Sequence, residues 1–220
     1  MNLIEKATIL HYHRHRIHQF QPGGVEALGW RGPESQSKRF EALLQVGDFT
    51  GRTVLDIGCG YGDLKGFLDR HCPDFTYIGI DQMPEFIEEA KARYEGLLDT
   101  YFFRRDFTQA QLPQVDYVIA SGAFGYRFAD AGHYFRMVRK LFGAAKSAFA
   151  FNMLDGAVFP PHDLLTGHER SEVTAFCRSL TSRVEVVSGY LEDDFTVFMY
   201  RDAPHGSQAA IASNAAGEMK

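Results

Sequence analysis

Val54-Leu55-Asp56-Ile57-Gly58-Cys59-Gly60-Tyr61-Gly62-Asp63-Leu64 decides how the rest of the chain is read. Val54, Leu55 and Ile57 make a short apolar run, and glycines then occupy alternate positions at 58, 60 and 62. A buried strand, a tight turn and the start of a helix account for that pattern. Glycine lets the backbone turn sharply and approach a ligand with no Cβ in the way. In open α/β folds such a turn lies at the carboxyl edge of the sheet, where ligands bind.

Outward from this turn, strands and helices alternate. Further strands are predicted over residues 75–80, 100–104, 115–120 and 147–151. Helices are predicted over 63–70, 84–94 and 131–142, with Pro84 suited to a first turn. This alternation implies a parallel sheet covered on both faces. After a helix over 168–180, two β-rich runs at 183–187 and 195–200 lie too close to house a crossover helix, so they should pair antiparallel. Upstream, Phe40, Leu43 and Leu44 give residues 35–46 an apolar helical face, and Gly47 is a suitable stop.

The ends differ from this rhythm. Residues 1–32 read as a helical arm, in which His11, His15 and His18 would share one helix face. Gln21-Pro22-Gly23-Gly24 breaks it, and the single Trp follows at Trp30. Residues 33–202 form the main domain, and 203–220, rich in Ala, Ser, Asn and Gly, read as a disordered tail.

Composition narrows the class. The chain has 220 residues, long enough to bury a core without a disulfide or metal staple. It carries 23 basic and 28 acidic residues, a net charge of −5, which argues against a phosphate-dominated nucleic-acid protein. No apolar run reaches the roughly 18–20 residues that span a bilayer. Three scattered cysteines form no disulfide framework or CxxC motif, and the N-terminus lacks a signal-peptide core, so a cytoplasmic setting is expected. A metal is not expected either. Three histidines on one helix still need a fourth ligand and a supporting shell.

Two ligand readings of the glycine turn compete. A dinucleotide site requires G-x-G-x-x-G/A, but Asp63 occupies the last position and would face a pyrophosphate with like charge. The spacing G-x-G-x-G, with Asp56 two residues before the first glycine, resembles motif I of class I S-adenosylmethionine-dependent methyltransferases. The resemblance covers roughly residues 35–200. It implies a Rossmann-like three-layer fold whose seven-stranded, mostly parallel sheet has the order 3-2-1-4-5-7-6, with strand 7 antiparallel. It also implies S-adenosylmethionine as cofactor and S-adenosylhomocysteine as product.

The same resemblance assigns site residues. Asp56, Gly58, Cys59 and Gly60 would cradle the cofactor. Asp81 would accept hydrogen bonds from both ribose hydroxyls, with Gln82 and Met83 flanking the adenine. Asp106 and Phe107 would meet the adenine amino group and a ring nitrogen. Ser121 and Gly122 would border the methyl group and the ligand's ammonium. The block around Leu28-Gly29-Trp30 and Gln36 resembles one in small bacterial methyltransferases of undefined substrate. There Arg39, helped by Gln36, would grip the methionine carboxylate, a task suited to a guanidinium.

The acceptor is expected to be a small molecule offering a nucleophilic O, N or C. Ser121-Gly122-Ala123-Phe124 replaces the Asn/Asp-Pro-Pro-aromatic run of enzymes that methylate amino groups of bases, which argues against nucleic acid. No unambiguous general base stands out. Asn152 and His162 are the catalytic candidates, with Asp155 and His168 beside them, and Phe124, Tyr126 and Phe159 are candidate wall residues. An RNA or protein methyltransferase, and a non-catalytic module that binds S-adenosylmethionine, are the alternatives.

Overall fold

The computed structural model describes residues 1–20 and 23–201. Its sheet has seven strands in the order β3-β2-β1-β4-β5-β7-β6. The strands are β1 (Thr53–Ile57), β2 (Thr76–Asp81), β3 (Thr100–Arg104), β4 (Val115–Ala120), β5 (Ala145–Leu154), β6 (Val184–Ser188) and β7 (Asp194–Tyr200). The first five pair in parallel; β7 runs antiparallel to both β5 and β6. The sheet order and the antiparallel hairpin are those expected from the sequence. Because β1 lies between β2 and β4, the strand order reverses there, and a crevice opens beyond the carboxyl ends of β1 and β4.

The helices are α1 (Leu3–Gln19), α2 (Pro33–Leu44), α3 (Asp63–Leu68), α4 (Pro84–Arg93), α5 (His133–Ala144) and α6 (Arg170–Arg178), with a 3₁₀ turn at Val25–Leu28. The centre of the sheet is dry on both faces. Ala148, Phe149, Ala150 and Phe151 of β5 are all buried, so this strand shows no polar alternation. On one side α5 buries Tyr134, Met137, Val138, Leu141 and Phe142 at spacings of three and four. On the other, Phe40 and Leu43 of α2 pack with Phe67 and Leu68 of α3.

The N-terminal helix begins with a reciprocal cap. Asn2 Oδ1 accepts from the Glu5 amide at 2.9 Å, and Glu5 Oε2 accepts from the Asn2 amide at 2.7 Å. His11, His15 and His18 are exposed, whereas the buried side chains of α1 are Ile9 and His13, one turn apart. The tail expected over 203–220 lies outside the described residues, as do Gln21 and Pro22. Among the described residues no helix is long and apolar enough to cross a membrane.

Candidate active site

The crevice above β1 and β4 is a cavity roofed by α1 and the Leu28–Arg31 segment. Its floor is acidic. Asp56 and Asp81 sit near the ends of β1 and β2 and are buried. Tyr77 donates its hydroxyl to Asp56 Oδ2 at 2.5 Å, and burial still pushes this carboxyl up to about 7. Asp81 accepts from the Gly60 amide at 3.1 Å and the Met83 amide at 2.8 Å. Burial raises it to about 6 against those amides. Asp81 thus ties the glycine turn to the start of α4, and its oxygens keep lone pairs for a ligand.

Two glycines are required by what packs on them. Gly60 has φ +55°, and a Cβ there would lie 2.7 Å from Leu28. Gly122, at φ +71° beyond β4, would place a Cβ 2.5 Å from the Trp30 ring. The roof therefore rests directly on the two turns that bracket the cavity.

Of the predicted site residues, Gln36, Arg39, Asp56, Gly58, Cys59, Gly60, Asp81, Gln82, Met83, Phe107, Ser121, Gly122 and Asn152 all line this cavity. Asp106 does not. Its carboxylate accepts from Thr108 N at 3.0 Å, Thr108 Oγ1 at 2.6 Å and Lys6 Nζ at 3.1 Å, which makes it a turn-former and an anchor for α1. His162 is also outside the cavity. It is exposed, and its Nδ1 accepts from the Leu164 and Leu165 amides. Asp155 is ion-paired with Arg170, and His168 contacts the Phe124 carbonyl at 3.2 Å. Phe124 is a core residue among Phe149 and Phe151, while Tyr126 and Phe159 do face the cavity. Asn152 alone among the catalytic candidates reaches it, with its Oδ1 accepting from the Gly122 amide at 2.9 Å.

Gln36 and Arg39 are engaged by the protein itself. Gln36 Nε2 donates to Asp63 Oδ2 at 2.9 Å, and Arg93 Nη1 holds the other oxygen of Asp63 at 2.7 Å. Arg39 stacks on Trp30, its guanidinium carbon 4.9 Å from the ring, and pairs with buried Asp194, with Nε at 2.8 Å and Nη2 at 2.6 Å from Oδ2. Burial raises the Asp194 carboxyl to about 6 even beside this cation.

Sequence reasoning overlooked His13, Asp193 and Asp194. His13 Nε2 lies 2.5 Å from Tyr126 Oη, joining α1 to the loop after β4. Burial drives His13 down to about 4, so it is neutral at pH 7. The i, i+4 spacing of Ile9 and His13 was the available signal. Asp193 and Asp194 read as part of a polar turn; nothing local shows that they meet Arg31 and Arg39.

Residues 54–144 match the sequence model of a family described as "Methyltransferase domain". Over these residues the chain is similar to methyltransferase domains. A Mycobacterium tuberculosis protein named as a methyltransferase, Rv1506c, is 32% identical over 108 residues, covering 46% of this chain and 63% of that protein. Malonyl-[acyl-carrier protein] O-methyltransferase of Acetivibrio thermocellus is 34% identical over 116 residues, 51% of this chain and 39% of that enzyme. The chain thus spans less than two thirds of these relatives. Magnesium protoporphyrin IX methyltransferase of Synechocystis, solved with S-adenosylmethionine, shares the fold at a TM-score of 0.68 and 15% identity, covering 91% of this chain and 99% of that one.

Proposed function

We propose that this protein transfers the methyl group of S-adenosylmethionine to a small-molecule acceptor. One observation carries the reading. Four buried side-chain polar atoms lack a hydrogen-bond partner among the described residues, and three of them, Gln82 Oε1, Ser121 Oγ and Asn152 Nδ2, belong to residues lining the cavity. Orphaned buried polar atoms are costly, and a polar ligand would satisfy them. Their spread from the end of β2 to the ends of β4 and β5 suits an elongated ligand that is polar along its length.

The residues fit this cofactor in particular. Asp81 supplies a carboxylate for ribose hydroxyls. Gln82 and Phe107 offer an amide and an apolar face to a flat base. At the other end, the buried Arg39–Asp194 pair offers both signs of charge to an amino-acid zwitterion, and Asn152 Nδ2 adds a donor. When bound, S-adenosylmethionine supplies an electrophilic methyl group on a sulfonium cation. The protein's own part is to hold the reactants in line and exclude water, which can account for much of a rate enhancement. Residues 1–32 act as a lid on the domain of residues 33–202, with Leu28 and Trp30 seated on the glycine turns. The acidic, glycine-rich cradle disfavours a dinucleotide pyrophosphate. A cytoplasmic setting agrees with three cysteines that form no disulfide.

Thermal unfolding with S-adenosylmethionine, S-adenosylhomocysteine or NADH tests the reading. The first two should raise Tm and NADH should not. A rise with NADH alone would replace the methyltransferase reading with a dinucleotide one.

A further inference from the structure

Beyond the cofactor residues, the cavity is walled by apolar side chains. Phe128 comes from the segment after β4, Leu154 from the end of β5, Phe159 and Leu165 from the segment before α6, and Ile9 from α1. The two loop segments are zipped together. Tyr126 bridges Leu165 in antiparallel fashion, Arg127 N donates to Leu164 O at 2.8 Å, and Thr166 N to Gly125 O at 2.9 Å. The wall is therefore a built surface that needs no ligand to form.

Its charge is as telling as its shape. Arg31 and Arg39 are the lining side-chain cations, and each is already held, by Asp193 and Asp194 respectively. The Met1 amino group lies 3.5 Å from His133 Nδ1. Besides Asp194, the lining acids Asp56, Asp63 and Asp81 are hydrogen-bonded to Tyr77, to Gln36 and Arg93, and to backbone amides. Beside the charges paired within the protein or turned to the cofactor, no lining side-chain charge among the described residues is left to replace the hydration of an ionised acceptor.

A polar point built from two side chains lies on this side. His13 Nδ1 faces the Ala27 carbonyl at 3.5 Å, and a carbonyl only accepts. Nδ1 then carries the ring proton, Nε2 presents a lone pair, and the Tyr126 hydroxyl donates to it. Tyr126 Oη is left with lone pairs for an incoming donor.

We propose that the acceptor is an uncharged, largely apolar molecule, of the phenol type, whose hydroxyl donates to Tyr126 Oη as oriented by His13. Calling the ligand an acceptor rests on the methyltransferase reading; the binding preference does not.

Three matched probes test it on the full chain by calorimetry, with and without S-adenosylhomocysteine: 4-ethylphenol, its methyl ether 4-ethylanisole, and 4-ethylbenzoate. The phenol should bind at least tenfold tighter than either of the others. Tyr126→Phe should bring the phenol down to the level of the ether and leave the ether unchanged. A benzoate that binds best, no measurable phenol binding, or a variant that weakens all probes by one factor overturns the proposal. Should Tyr126→Phe not fold, the wild-type ranking of the three probes decides alone. S-adenosylhomocysteine that fails to bind while the ranking holds would sink the cofactor reading and leave this site standing.

Discussion

Arg39 on α2 and Asp194 at the start of β7 meet in a buried ion pair across 155 residues of sequence, and both side chains line the cavity. The pair fastens the helix that precedes β1 to the last strand of the sheet. It also places a positive and a negative charge side by side at one end of the site.

Breaking this pair should be costly. Arg39→Met leaves a buried carboxylate without its cation, for which about 3–5 kcal/mol of destabilisation is expected. The double variant Arg39→Met/Asp194→Leu should recover most of that loss, because no uncompensated charge remains. Urea unfolding of the single and double variants measures both.

Gly122→Ala should drive a Cβ into the Trp30 ring at a backbone angle that favours glycine. A loss of about 1–3 kcal/mol is expected. Trp30 is the only Trp, so its fluorescence reports ring displacement directly. Adding Trp30→Leu should remove the steric part of the loss and leave the smaller backbone part.

Asp56 opposes folding at neutral pH. Its folded carboxyl titrates near 7 against an ordinary 3.8, so the stability it contributes is present below pH 3.8 and lost as pH rises through about 7. Asp56→Asn keeps an acceptor for Tyr77 and should stabilise the fold at pH 8, by up to about 4 kcal/mol. The gain should vanish by pH 4 in chemical denaturation, and cofactor affinity should fall.

His13 acts in the opposite sense. Its folded value lies near 4 against 6.5, so its contribution is complete above pH 6.5 and lost as pH falls through about 4. His13→Gln should flatten the loss of stability between pH 6.5 and 4, by up to about 3 kcal/mol. An unchanged acid profile would mean that the imidazole already reaches water.

The fold was legible because the sheet announces itself locally. β1 and β2 are short, mainly apolar runs that end at Gly58 and Asp81, and the tightness of the 188–194 connection forces the antiparallel hairpin. The glycine turn and Asp81 were legible for the same reason: turn chemistry is written in adjacent residues. Asp106 shows the limit. An acid after β3 reads alike whether it faces a ligand or caps its own turn, and Lys6, 100 residues away, completes its shell. His13 was hidden by its neighbours, since a run of His and Arg reads as a solvated face until the helix is docked. The partners of Asp193 and Asp194 come from α2 and the segment before it, and no local pattern encodes that contact.

The cavity between β1, β2 and β4 is the proposed site for S-adenosylmethionine, with Asp81 on its ribose. Calorimetric titration of S-adenosylhomocysteine into wild type and Asp81→Asn tests it most directly. The account predicts micromolar binding to the wild type and at least a tenfold loss in the variant, whose carboxamide still accepts one backbone amide. A folded wild-type protein that takes up neither S-adenosylhomocysteine nor S-adenosylmethionine, or a variant that binds as tightly as wild type, would contradict it.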